Sequence, residues 1–150
     1  MAERLLAQLN RDWQVFLDSL ACLPDSALLQ PGVVGEWSLR DIMGHVTTWE
    51  EESIKALPAI LARVPPPTYG GYGGVGVDAF NAQKAAEKHA LTLADIRRDL
   101  AATHQILLGR IAAIPDEAVD AELERRVAED TWNHYRQHAE QIRAWRGRQT

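Results

Sequence analysis

Cysteine is nearly absent: Cys22 is the only one in 150 residues. No intramolecular disulfide can form, and a cysteine-based metal site is excluded. A reducing, intracellular setting is the natural expectation. Long apolar runs are also missing, and no stretch approaches the roughly 20 residues of a membrane span. In the N-terminal stretch from Met1 to Asp12, charges recur too early and too often for a signal-peptide core. The expected location is the cytoplasm, with no membrane partner. Positive charge is short as well, with 16 Lys and Arg against 21 Asp and Glu, a formal net charge of −5. That balance repels a phosphate backbone unless a local basic patch intervenes. The only basic cluster, Arg143, Arg146 and Arg148, reads as helix-end charge opposing the macrodipole. No nucleic acid partner is expected. Convincing strand alternation is absent along the whole chain.

What remains is helical periodicity. Hydrophobic residues make up 46% of the chain, enough for a packed core and against general disorder. The length fits a single domain over residues 1–150. Leu5, Leu9, Trp13, Phe16, Leu17 and Leu20 form one apolar stripe, which Pro24 ends. Leu39, Ile42, Val46, Trp49, Ser53, Ala56 and Ile60 form a second, opened by the capping-box pair Ser38 and Asp41. Pro58 is expected to kink or shorten that helix, and Pro65-Pro66-Pro67 to stop it. Ile96, Leu100, Thr103, Leu107, Ile111 and Ile114 make a third stripe, with Thr92 and Asp95 as its cap and Pro115 at its end. A fourth helix is expected from about Asp130 to Arg146.

Between the second and third stripes lies a Pro/Gly-rich crossover at about 65–77, holding Tyr69, Tyr72 and five glycines in residues 70–76. It is not a phosphate-binding loop, because the Gly-Lys-Ser/Thr ending and a preceding strand are missing. Residues 78–90 are alanine-rich and suit a short extra helix. The segments Leu23-Pro24-Asp25-Ser26-Ala27 and Ile114-Pro115-Asp116-Glu117-Ala118 echo each other after helices one and three. Two helical hairpins joined by a long crossover fit this pattern: an all-α four-helix bundle.

Chemistry points to the histidines. His134 and His138 stand four apart in a helix, which puts both imidazoles on one face. They share that face with Ile142 and Trp145, and buried histidines need partners for both ring nitrogens. His45 lies on the apolar side of helix two. Alone it reads as a core histidine; with the other two it completes a three-histidine set. Imidazole serves zinc, nickel, copper and iron, and three protein ligands leave an open, reactive position. His89 and His104 read as solvated or satisfied histidines. Glu52, seven residues after His45, and Asn81, on the crossover side, are candidate catalytic groups. Asp78 can also reach the site, and Gln141, three after His138, can orient a ligand. The run Glu50-Glu51-Glu52 otherwise reads as a solvated acidic face. Tyr69, Tyr72 and Tyr135 are candidate pocket walls with turn or surface roles as the alternative, Trp49 and Trp145 read as core with a wall role as the alternative, and Cys22 reads as a small buried filler.

The run Val34-Gly35-Glu36-Trp37-Ser38-Leu39-Arg40-Asp41-Ile42-Met43-Gly44-His45-Val46-Thr47-Thr48-Trp49-Glu50 resembles the signature of the DinB-like (DinB/YfiT) superfamily. There a Trp-Ser pair opens helix two, followed by Asp, the first metal histidine and a Trp-Glu. Trp132-Asn133-His134-Tyr135-Arg136-Gln137-His138 resembles the last helix of that family, and Asp78-Ala79-Phe80-Asn81 a segment of one branch. The two main motifs span 17 and 7 residues. The resemblance implies an up-down-down-up bundle, a homodimer, and one divalent metal held by His45, His134 and His138, with zinc or nickel expected. It also implies a small-molecule substrate, with the metal activating a low-molecular-weight thiol for transfer to an electrophile. A hydrolase using metal-bound water, or a non-catalytic metal- or ligand-binding bundle, is the alternative. The glycine-rich crossover departs from the pattern and leaves the substrate open.

Overall fold

The computed structural model describes residues 1–65 and 76–149. The chain folds as helices α1 (Ala2–Leu20), α2 (Asp25–Leu28), α3 (Leu39–Leu61), α4 (Gly76–Lys88), α5 (Leu93–Ala112), α6 (Ala121–Asp130) and α7 (Trp132–Arg148), with a 3-10 turn at Asp116–Ala118. Among the described residues there is no strand, only an isolated bridge between Val34 and Trp37. No helix among them is long and apolar enough to cross a membrane. The glycine-rich stretch 70–75 lies outside the described residues, as do Tyr69 and Tyr72.

The long helices form where the apolar stripes are. Leu5, Leu9 and Phe16 of α1, Leu39, Ile42 and Val46 of α3, Leu107 and Ile111 of α5, and Ile142 of α7 are at most 1% exposed and meet in one core. α1 packs chiefly on α7 and also on α5, while α3 packs on α5, α4, α6 and α7. Both capping boxes are present: Ser38 and Asp41 open α3, and Thr92 and Asp95 open α5, each pair exchanging side-chain and backbone bonds. These bonds satisfy amides that the first helical turn leaves open. The two Pro-Asp echoes become single turns, α2 and the 3-10 turn, with Pro24 and Pro115 as their N-caps.

Several expectations change. α3 continues through Pro58 to Leu61, because the missing amide falls in the last turn, where the loss of one bond is cheapest. The chain then leaves α3 before the prolines, at Arg63, in the left-handed region at φ 58°. The residues after Val119 form α6 rather than an irregular stretch, and the last helix starts at Trp132 after a break at Thr131 (φ −123°, ψ −101°). Glu50 and Glu52 are not a solvated face but are 0% and 2% exposed. α3 is the central helix and is covered on several sides, which buries them. Cys22 is exposed rather than buried, since the turn after α1 at φ 64° swings it outward.

Several contacts hold α4 beside α3. Arg40, largely buried, donates to the carbonyls of Lys88 and Leu91 and so caps the end of α4. Phe80 is 2% exposed and meets Trp49 edge-on at 5.5 Å. The indole N–H of Trp49 donates to Asn81 Oδ1 at 2.9 Å.

Candidate metal centre

α3 and α7 bring three imidazoles to one point. His134 Nε2 lies 2.9 Å from His45 Nε2 and 3.0 Å from His138 Nε2. The ligand-capable atoms of the three rings all lie within 4.8 Å of one another. One helical turn separates His134 from His138, and Gly35 (φ 55°) in the tight turn before α3 sets Trp37 against the His45 ring at 4.8 Å.

Proton arithmetic tests whether this set fits a cation. His138 Nδ1 lies 2.8 Å from Gln141 Oε1. An amide oxygen brings no hydrogen, so the ring proton sits on Nδ1 and Nε2 carries a lone pair. His134 Nε2 can donate to only one of its two neighbours. At least one close nitrogen pair is therefore left without a proper hydrogen bond, a contact that a cation relieves. Nitrogens around a tetrahedral ion with bonds of about 2.0–2.1 Å stand about 3.3 Å apart, so small ring movements seat one. Electrostatics agree. Burial, with the charges of His138 and Lys88, pushes His45 down to about 3. Burial, His138 and His45 push His134 down to about 2. Burial lowers His138 against the opposing Gln141 bond. Neutral imidazole is the form that binds metal.

The centre opens into a cleft of about 340 Å³. Trp49 and Asn81 line it with the three histidines, and so do Glu129 and Asp130. Burial and the nearby charge of Glu129 push the Asp130 carboxyl up to about 7, with Glu52 adding to the effect. Of the two candidate catalytic residues, Asn81 stands at the cleft with its oxygen committed to Trp49. Glu52 is not a lining residue; it is buried, accepts from Lys55 Nζ at 3.1 Å, and its charge is felt at Asp130. Gln141 is bonded to His138, while Asp78 is exposed and is not among the residues lining this cleft. Tyr135 faces away from the cleft, buried, donating to Glu50 Oε1 at 2.7 Å. Trp49 does line the cleft, and Trp145 stays in the core. His104 is a satisfied core histidine at Nδ1, and His89 is exposed beside Asp41.

Asp130 was missed by sequence reasoning. It stands four residues before His134, at the expected start of the fourth helix, but its raised affinity for protons comes from tertiary burial, which spacing does not show.

The fold and site thus define an all-helical protein with an imidazole-only candidate centre between α3 and α7. The chain belongs to the DinB superfamily, whose sequence profile matches residues 8–142. Among curated proteins none matches. Solved structures of the same fold include DfsB, described as a sibling lethal factor precursor, at 15% identity and TM-score 0.83, covering 99% of this chain and 96% of that one. An uncharacterised protein from Escherichia coli UTI89 is similar at 13% identity and TM-score 0.78, covering 99% and 94%. The colibactin self-resistance protein ClbS, solved in complex with double-stranded DNA, is similar at 10% identity and TM-score 0.82, covering 97% and 94%. This last finding overturns the exclusion of nucleic acid drawn above from net charge. Net charge is a sum over the whole chain, whereas phosphates meet local patches.

Proposed function

We propose that this protein binds one divalent transition metal, zinc or nickel, through His45, His134 and His138, and uses it to activate a low-molecular-weight thiol for transfer to a small electrophile. The observation that carries the reading is the convergence of three Nε2 atoms with too few protons to satisfy one another. Such an ion supplies Lewis acidity that lowers the pKa of a thiol or a water toward neutrality. The chain supplies the rest. Gln141 holds His138 in the tautomer that presents Nε2. Asp130, titrating at about 7, takes up the proton released in the cleft. Asn81, with its oxygen bonded to Trp49, keeps amide hydrogens to orient a substrate. Cys22 is exposed and absent from the cleft lining, so the thiol comes from outside. In the same reading the four long helices run up-down-down-up as one domain.

The test starts with elemental analysis of untagged protein and of His134→Ala. Metal near one per chain in the former and lost in the latter is expected; a metal-free wild type that refuses reloading ends the proposal. Turnover of an electrophile that needs thiol supports transfer, and turnover in water alone selects the hydrolase instead. The duplex held by ClbS brings a second reading, DNA as a partner, which electrophoretic mobility shift across a salt series tests. Binding that weakens steeply with salt is the expected signature.

A further inference from the structure

A second cleft, of about 320 Å³, lies between α1 and α5, away from the three histidines. Its walls are mostly apolar: Trp13, Leu17 and Leu20 from α1, Leu100 from α5 and Met43 from α3. His104 also lines it. This ring is 2% exposed and stacks on the Trp13 indole at 3.8 Å with 7° between planes. Its Nδ1 lies 3.0 Å from Glu50 Oε1, which also accepts from Tyr135. A carboxylate brings no hydrogen, so the His104 proton sits on Nδ1 and Nε2 presents a lone pair.

That Nε2 is buried and has no hydrogen-bond partner. No other residue lining this cleft has a buried polar atom without one, among the described residues. Buried acceptors are nearly always partnered, so the vacancy asks for a donor. Water is a poor candidate, since an ordered water needs about two to four polar partners and these walls offer few. A cationic or anionic ligand finds little either. Arg97, the charged lining residue, is already paired with Asp25 at 2.9 Å. The remaining chemistry is a neutral, flat, apolar body with one hydroxyl. About 150 Å³ of apolar cavity is enough to hold a benzene ring, so this cleft has room for one or two rings.

We propose that the α1/α5 cleft is a second small-molecule site, which binds a neutral aromatic alcohol with its hydroxyl donated to His104 Nε2 and its ring against Trp13 and Leu100. Ring–ring contact with Trp13 and burial of the body give affinity, and the single hydrogen bond gives selection. The cleft shares no lining residue with the one at the three histidines.

The probes are phenol and its methyl ether anisole, titrated into the full-length protein while the His104 ring nitrogens are followed by NMR. Phenol is expected to saturate, to shift the Nε2 resonance, and to bind about tenfold more tightly than anisole, which lacks the donor. Ala101→Phe fills the cleft from an exposed lining position and leaves the core untouched. It is expected to abolish phenol binding while the His104 resonances stay native-like. Equal affinity for the two probes overturns the proposal, as does phenol binding that survives Ala101→Phe, or no shift at millimolar phenol. Loss of phenol binding on raising protein concentration alone would assign the face to a second copy of the chain and also overturn it.

Discussion

The tautomer of one histidine decides much of the candidate centre. His138 offers Nε2 because Gln141 Oε1 accepts from Nδ1 at 2.8 Å. Partners of this kind typically change metal affinity by about 10–100-fold. Gln141→Leu is therefore expected to weaken zinc binding by about that factor in competition with a chelating dye, with folding retained because the residue is only half-buried. A change under twofold would show that Gln141 does not set the tautomer. Asp130 carries the second residue-level prediction. Its native pKa, about 7, lies above the ordinary 3.8, so the folded state holds a proton that the unfolded chain loses. Its contribution is full below pH 3.8 and is lost as pH rises through 7. In metal-free protein at pH 8, Asp130→Asn is expected to stabilise by about 1–2 kcal/mol in urea unfolding. The gain shrinks toward pH 4. The three clustered histidines were legible, His134 and His138 from their spacing and His45 from its stripe position, since helix geometry turns an i,i+4 pair into neighbours. Asp130 was not, because its burial is set by elements far apart in sequence.

Among the elements, legibility followed hydrophobic density. α1, α3 and α5 each carry a stripe several turns long, and their starts or stops are written as caps and prolines. α6 has only Leu123, Val127 and Ala128 buried, among charges such as Glu122, Arg125, Arg126 and Glu129. One apolar contact per turn over ten residues is too weak a period to separate from a loop. Its helicity rests on Asp120, whose side chain accepts from the Leu123 amide, and on the i,i+3 and i,i+4 pairs of Arg125 with Glu122 and Glu129. The way α1 ends was equally hidden. The sequence places Cys22 near a helix end but not in the left-handed region, where a Cβ is strained. Cys22→Gly removes that strain at an exposed position with no packing to lose. The expected effect is a gain of about 0.5–1 kcal/mol in urea unfolding, against the loss that glycine causes inside a helix. A loss would mean that the turn relaxes in solution.

At the scale of the whole molecule, the cluster couples stability to pH and metal. The three imidazoles are held neutral in the folded state, His45 down to about 3 and His134 to about 2, with His138 lowered as well. Unfolded histidine takes its proton near 6.5. Above that value both states are neutral and the cluster adds no pH dependence. As pH falls below 6.5, the unfolded chain takes up protons that the folded chain refuses, so stability falls until the folded pKa values are reached. Asp130 opposes this trend, since over part of the range the folded state holds one extra proton. One group against three leaves a net loss. Metal-free protein is thus expected to lose on the order of 1 kcal/mol per pH unit between about pH 6 and 4, measured by urea unfolding. The double variant His45→Asn, His134→Asn should flatten that slope, leaving the usual carboxylate losses at lower pH. A metal ion at a hundredfold excess over its dissociation constant adds about 2.7 kcal/mol at neutral pH. Because it needs the neutral rings, its binding competes with protons and the added stability shrinks on acidification. The decisive outcome is the pairing of the two effects: a zinc-dependent rise in urea midpoint at pH 7.5 that is absent from the double variant. A rise of equal size in both would place the ion elsewhere on the molecule and separate the acid sensitivity of the cluster from any role in holding metal.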